Sequence, residues 1–279
     1  MTEHELRIGF IGLGAMGRPM VENLLRASFP VTVFDVRTEA TEPLRASGAA
    51  VAPSLAELAR TVNIVEIIVR TEEQVNAVLF GEPDGGIADY LESGAVVLIH
   101  STISPAAVAT AAQRLADWGI ALLDAPVTGS IKGAVEGTLS FIVGGTEAAV
   151  TRCAPVLQTL GSGTIRVGEP GAAQRAKLIN NMLAGVNSVA IAEGLALARA
   201  AGLSYEAVLE VVNAGTGASF MSTNREALLE MGRQSDLAGL GYKDLLLALQ
   251  EAHSWEISLP VTAIATQFLA DYHKNQPTQ

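Results

Sequence analysis

At 279 residues, with 49% of them apolar, the chain is long enough to bury the cores of two compact units. A formal charge of −11 argues against a general nucleic-acid or anionic-membrane surface, so any anionic ligand needs locally placed cations. Cys153 is the only cysteine, which excludes a disulfide framework and a thiolate metal cluster. His4, His100, His253 and His273 are scattered without ligand-like spacing, so no metal site is expected. The opening Met-Thr-Glu-His-Glu lacks the basic and apolar regions of a signal peptide, and no apolar run reaches a membrane span without glycines, charges or polar breaks. The expected setting is a reducing cytoplasm, with neither nucleic acid nor membrane as partner.

The first predicted element is a short buried strand from Arg7 that runs into a glycine turn. Gly12, Leu13, Gly14, Ala15, Met16 and Gly17 fit the G-x-G-x-x-G pattern, and a helical segment begins by Pro19. A second strand, Val31 to Asp35, ends in an acid 23 positions after Gly12. Strand, turn, helix, strand and terminal acid together make the dinucleotide-binding fingerprint. The first glycine permits the tight turn, the second lets backbone approach a pyrophosphate, and the third lets helix and strand pack closely. The helix N-terminus adds amide donors. Asp35 is expected to accept from the ribose hydroxyls and repel a 2′-phosphate, favouring NAD over NADP. Arg37, two residues on, is placed to soften that preference.

The alternation continues through a helix at Ala56–Arg60, a strand at Asn63–Val69, a helix at Thr71–Phe80 and a strand at Ala95–Ile99. A helix through Leu115 follows, then strand-like runs at Ile120–Asp124 and Leu139–Val143. This pattern predicts an α/β fold with a doubly wound parallel sheet, a Rossmann domain over residues 1–166. Ligands of such a sheet lie beyond the carboxyl ends of its strands, where Thr102 and the segment after Asp124 fall. Beyond Pro170 the texture turns helical. No proline interrupts the stretch from Gly171 to Ala201, and Gly202 is placed to end it, so one helix of about 45 Å is expected, apolar nearly all round and buried. Further helical spacing at Tyr205–Ala214, Asn224–Met231 and Lys243–Ser254, and a last helix opened by Pro260, make residues 167–279 an all-α domain joined through that long helix. Lys274–Gln279 reads as a frayed tail.

Four motifs resemble the 3-hydroxyisobutyrate dehydrogenase, or β-hydroxyacid dehydrogenase, family, within the 6-phosphogluconate dehydrogenase-like superfamily. They are Gly9-Phe-Ile-Gly-Leu-Gly-Ala-Met-Gly17, Asp124-Ala-Pro-Val-Thr-Gly129 with Gly133-Ala-x-x-Gly137, Lys177-x-x-Asn-Asn181, and Lys243-Asp244. The resemblance implies a hydride transfer between NAD, or NADP, and a small β-hydroxy acid or its semialdehyde, with Lys177 as the catalytic lysine. It implies that Thr128, Gly129 and Ser130 hold the substrate carboxylate and that Asn181 orients the substrate. Val69, Arg70, Gln74 and Thr102 match cofactor-contacting positions, and Lys243 would lie near both cofactor and substrate. A small anionic substrate and a homodimer or homotetramer follow from the same likeness. The chain departs from the family at Ser130, where a glycine is usual, at Arg70, at His100 and at Ala173.

A lysine can take the hydroxyl proton as a neutral amine, or stabilise developing alkoxide while charged. Asn181, four residues on, projects from the same helix face and offers both donor and acceptor. The residues also allow plainer readings. Lys177 alone fits a solvated helix lysine, Asn180–Asn181 a polar pair satisfying backbone, and Lys243–Asp244 a surface pair. Thr128–Ser130 fits a simple turn, and Ser101–Thr102 a cap on the next helix. Phe220 reads as core in preference to a substrate-pocket wall, and Trp118 and Trp255 read as packing. Two rival functions are an imine reductase, which usually carries aspartate or tyrosine in place of the lysine, and a non-catalytic cofactor-binding module. A reductase of another semialdehyde (tartronate, succinic or a sulfonate analogue) keeps the same chemistry.

Overall fold

The computed structural model describes residues 6–81, 85–224 and 235–274, with side chains in the last stretch for 241–270. Ile8, Gly9, Phe10 and Ile11 are all buried and form β1, which leads through the glycine turn into α1 (Gly17–Arg26). The chain then runs β2 (Val31–Phe34), α2 (Glu42–Ala46), β3 (Ala50–Val51), α3 (Leu55–Thr61), β4 (Ile64–Ile67) and α4 (Glu72–Phe80). Next come β5 (Val96–Ile99), α5 (Pro105–Ala116), β6 (Ala121–Asp124), β7 (Val127–Thr128) and α6 (Ser130–Glu136). β8 (Leu139–Gly144), α7 (Glu147–Leu160) and β9 (Gly161–Gly168) complete the sheet region. The remaining helices among the described residues are α8 (Ala172–Ala200), α9 (Tyr205–Ala214), α10 (Phe220–Thr223), α11 (Ser235–Ser254) and α12 (Pro260–Lys274).

Contacts divide the chain into Met1–Lys177 and Leu178–Gln279. This division falls later than the expected 166, because the first turns of α8 are hydrogen-bonded to the end of β6. In the first unit the strand order is β3-β2-β1-β4-β5-β6-β8-β7, with β9 also paired to β8. β1 lies between β2 and β4, so the direction of winding reverses there and opens a crevice beyond the strands' carboxyl ends. Alternate side chains of the strands enter two separate cores. Phe10, Leu98 and Phe141 join Leu24 and Leu160 on one face, and Ile11, Ile67 and Ile99 join Leu79 and Leu115 on the other.

The sheet is mixed rather than wholly parallel. β8 pairs antiparallel with β6 and β7, since the short β7–α6 excursion after Asp124 brings the chain back in the opposite sense. β9 is a strand the apolar pattern did not announce. It carries Gly161, Gly163 and Gly168 and pairs with β8 alone, with its middle residues exposed, so it has no buried face to write an alternation.

In the second unit, Val189, Leu245, Ala265 and Leu269 form a small core, with Val186 and Tyr242 against it. α8 does run from Ala172 to Ala200, and Gly202 follows with φ +72°. It is not buried all round, however. Ile179 (56% exposed), Leu183 (53%) and Leu197 (72%) are not covered by the described residues. α8 has the length and mean hydropathy (1.3) of a membrane-crossing helix, a property it shares with core helices. Phe220, Trp118 and Trp255 are exposed rather than buried in the core, although Trp118 keeps a ring contact with Phe80. Phe220 opens the short α10, where the reciprocal Ser219–Ser222 capping bonds fix a turn that faces outward. Of the expected helix Asn224–Met231 only Asn224 is described, and residues 275–279 of the expected tail lie outside the described residues.

Candidate active site

The turn after β1 requires glycine for steric reasons. Gly12 has φ +96°, and a Cβ on it would press on the Ile68 carbonyl. A Cβ on Gly17 would strike the Gly12 carbonyl, whereas one on Gly14 would meet open space. The first turn of α1 holds no acid, and Met16 at its N-cap supplies no side-chain cap. A close-set turn with an open face and a helix N-terminus free of negative charge fits a dinucleotide pyrophosphate. Gly12→Ala is expected to weaken NADH binding at least about tenfold and to lower the Tm, because a side chain at positive φ costs about 1–3 kcal/mol before any clash. Fluorescence titration and thermal unfolding check both.

Asp35 follows β2 and is nearly enclosed. Its Oδ2 accepts from the Leu13 amide at 2.8 Å and its Oδ1 from the Arg37 amide at 2.9 Å. The Arg37 guanidinium reaches the same carboxylate at 3.3 and 3.4 Å while remaining 57% exposed. Burial alone would raise the Asp35 pKa, but the two amides and the guanidinium outweigh it and hold the pKa below the usual value. Asp35 therefore ties the glycine turn to the loop after β2, and Arg37 partly neutralises the charge expected to repel a 2′-phosphate. A cavity of about 380 Å³ lies alongside, bordered by Leu13, Gly14, Ala15, Arg18 and Arg37.

Across the switch point, two loops are latched together at the ends of β4 and β5. Ser101 Oγ accepts from the Val69 amide and donates to the Val69 carbonyl, both at 2.8 Å. Gln74 Oε1 accepts from the Arg70 amide at 2.9 Å, so the side chain of Gln74 shapes the Val69–Gln74 loop, while Arg70 itself is exposed. The cap of α5 is Ser104, whose Oγ accepts from the Ala107 amide at 3.0 Å. The capping role expected of Ser101 and Thr102 is thus displaced: Ser101 is a latch, and Thr102 sits half-buried between it and Ile103.

Sequence reasoning missed the residue that joins this loop to α8. Gln174 is fully buried; its Nε2 donates to the Ser101 carbonyl at 2.8 Å and its Oε1 accepts from the Ile103 amide at 3.3 Å. Its own amide and that of Gly171 donate to the Asp124 carboxylate at 2.9 and 3.0 Å. Asp124, at the end of β6, thereby caps the N-terminus of α8 from another element and complements the helix dipole. Burial raises its pKa, and the amides offset this only in part. Asp124→Asn would turn a donor toward one of those amides, and a loss of about 2 kcal/mol is expected, read as a lower Tm. Lys177 lies three residues beyond Gln174, on the same side of α8. It is buried (8% exposed), which excludes the solvated-lysine reading.

Thr128, Gly129 and Ser130 are exposed at the junction of β7 and α6, with φ +128° at Gly129 and +60° at Ser130. Ser28 and Glu256 share the left-handed conformation of Ser130 in turns at helix ends, so a simple turn at Thr128–Ser130 stays compatible with this geometry. Within the second unit, Asn181 Nδ2 donates to Asp244 Oδ2 at 2.6 Å, and Asn180 Nδ2 donates to Asn181 Oδ1 at 3.1 Å. Asp244 is buried, so Lys243–Asp244 is not an ordinary surface pair. Among the described residues no cluster of His, Cys, Asp or Glu is arranged to hold a metal ion.

A nucleotide cradle on a doubly wound sheet, followed by a helical region, defines an NAD(P)-dependent oxidoreductase. Comparison with known proteins agrees. A family described as the NAD binding domain of 6-phosphogluconate dehydrogenase matches residues 7–168, and one described as NAD-binding of NADP-dependent 3-hydroxyisobutyrate dehydrogenase matches residues 171–279. The 2-(hydroxymethyl)glutarate dehydrogenase of Eubacterium barkeri is 36% identical over 95% of this chain and 88% of its own length. The 3-hydroxyisobutyrate dehydrogenase of Mycobacterium tuberculosis, solved with L-serine, superposes with a TM-score of 0.87 at 31% identity, covering 97% of this chain and 94% of that one. Psf3, solved with NADP+ and 2-OPP, superposes with a TM-score of 0.85 at 30% identity, over 96% and 94% of the two chains. The chain belongs to the 3-hydroxyisobutyrate dehydrogenase, or β-hydroxyacid dehydrogenase, family, and is an NAD(P)-dependent hydroxyacid dehydrogenase.

Proposed function

We propose that the chain oxidises a small β-hydroxy acid of the 3-hydroxyisobutyrate type, or reduces its semialdehyde, with Lys177 as the proton-transfer group. The observation that carries this reading is a buried lysine one turn beyond Gln174, whose side chain holds the Ser101–Ile103 loop at the carboxyl end of β5. Bound NAD supplies the hydride acceptor. Lys177 takes the hydroxyl proton as the C–H hydride leaves, and returns it to the carbonyl oxygen in the reverse direction. Thr128, Gly129 and Ser130 bind the carboxylate through amides and hydroxyls that their exposure leaves accessible. Asn181, held by Asp244, orients the substrate hydroxyl, and Lys243 serves cofactor and substrate. Val69, Arg70, Gln74 and Thr102 bound the nicotinamide side, with Gly12–Gly17 and Asp35 on the adenosine side.

The altered Ser130 favours a second reading, the same chemistry on another small acid semialdehyde. Steady-state assays over a panel of β-hydroxy acids, α-hydroxy acids and semialdehydes with NAD and NADP decide. β-Hydroxy acids are expected to turn over fastest, and a preference for α-hydroxy acids would overturn the reading. The cofactor-binding domain is assigned to residues 1–166 and the helical substrate and oligomerisation domain to 167–279. The exposed Ile179, Leu183 and Leu197 on α8 support a homodimer or homotetramer. A single buried cysteine supports a reducing, cytoplasmic setting.

A further inference from the structure

β4 is apolar except for Glu66, whose neighbours Ile64, Val65 and Ile67 are all buried. Its side chain and that of His100 are both fully enclosed (0% exposed), and Glu66 Oε2 meets His100 Nε2. The other carboxylate oxygen, Oε1, is buried with no hydrogen-bond partner. His100 Nδ1 lies 2.8 Å from the Ala125 carbonyl, which can only accept, so Nδ1 carries the hydrogen. The ring rests against Phe141, with centroids 5.5 Å apart. Burial alone would lower the His100 pKa, but the Glu66 carboxylate and the Ala125 carbonyl outweigh it and raise it.

Stability is a poor account of this pair. Enclosing two ionisable groups among apolar side chains carries a desolvation cost, and well-packed apolar residues of like volume are often as good or better. The location offers a better one. The last ladder bonds of this part of the sheet run from the His100 amide to Ile67 and from the Ala125 amide to Ile99, both at 2.8 Å. Past that point the Glu66–His100–Ala125 chain ties the ends of β4, β5 and β6 together. Each of those ends leads directly into the site. Ser101, next to His100, latches Val69 and is held by Gln174, while Asp124, next to Ala125, caps α8.

We propose that Glu66 and His100 are positioning residues for hydride transfer, a buried pair that sets where the Ser101–Ile103 loop and the Asp124–Ala125 turn stand around the nicotinamide. The inference rests on the reading that this loop flanks the nicotinamide. Neither side chain touches the reacting atoms, and the pair acts through the backbone that it spans.

The test compares wild type with Glu66→Leu/His100→Phe, which fills the same space without polar groups, and with Glu66→Gln, which keeps the ring and its contact. Apo Tm, NADH affinity and emission by fluorescence, and kcat and KM with NAD and the hydroxy acid that wild type turns over fastest are measured for each. For the double variant the Tm and NADH affinity stay near wild type, the emission of bound NADH shifts, and kcat falls about 10–100-fold with little change in KM, the scale of a misplacement of up to about 1 Å. Glu66→Gln keeps kcat within about threefold, since the contact that fixes the ring survives. A double variant with wild-type kcat overturns the proposal, as does a fall in kcat matched in both variants by falling Tm and NADH affinity. If the double variant does not fold, Glu66→Gln and His100→Leu decide, and the proposal requires kcat kept in the first and lost in the second. The parent reading fails separately, if the wild-type protein turns over none of the β-hydroxy acids.

Discussion

Lys177→Ala is expected to lower kcat by about 10³-fold or more, while NADH affinity stays within about twofold of wild type. General acid–base groups contribute about 10²–10⁴-fold, and Lys177 is the proposed proton-transfer group of this reaction. Truncation also removes an aliphatic stem from a buried position, so Lys177→Met, which retains that stem, separates chemistry from packing. The Met variant should fold with a near-normal Tm and be as slow as the Ala variant. Single-turnover rates at saturating NAD locate the defect in the chemical step. A variant that kept near-normal turnover would show that another group moves the proton.

The second large effect concerns the choice of cofactor. Asp35→Ala is expected to shift the ratio of kcat/KM for NAD over NADP toward NADP by about 10–100-fold, the worth of one or two charge-assisted hydrogen bonds. Arg37→Ala should move the same ratio about tenfold the other way, since it removes the exposed cation beside the carboxylate while the two backbone amides still hold Asp35 in place. The two substitutions should be non-additive, because the side chains are bonded to each other. The Asp35 pKa is depressed, so its contribution is complete above the ordinary carboxylate range and is lost only as pH falls through the lowered value. Discrimination between the cofactors should accordingly be flat across neutral pH. If the ratio did not respond to either substitution, the adenosine end would be read elsewhere.

Much of this architecture was legible in the chain. The glycine spacing from Gly12 to Gly17, the acid after β2 and the bounds of α8 all appear where adjacent residues place them. These are local matters: φ +96° at residue 12 admits little but glycine, and an uninterrupted run between Gly171 and Gly202 has few alternatives to a helix. The candidate site was legible mainly as a set of motifs. Lys177 is singled out by the family resemblance, with Asn181 four residues on, but Gln174, which anchors that turn to the Ser101–Ile103 loop, had no pattern of its own.

The reach of an interaction along the chain separates what could be read from what could not. Turn sterics, helix caps and apolar periodicity act between residues a few places apart, so the amino-acid order alone determined a nucleotide cradle followed by helices. The partners of Asp124 and Glu66 lie 47, 50 and 34 residues away, and only the assembled sheet with α8 against it brings them together. The return of β8 antiparallel to β6 and the outward face of α8 likewise depend on what packs beside them. Side-chain pairing across strands exists only once the sheet is assembled, and tertiary structure alone decided it.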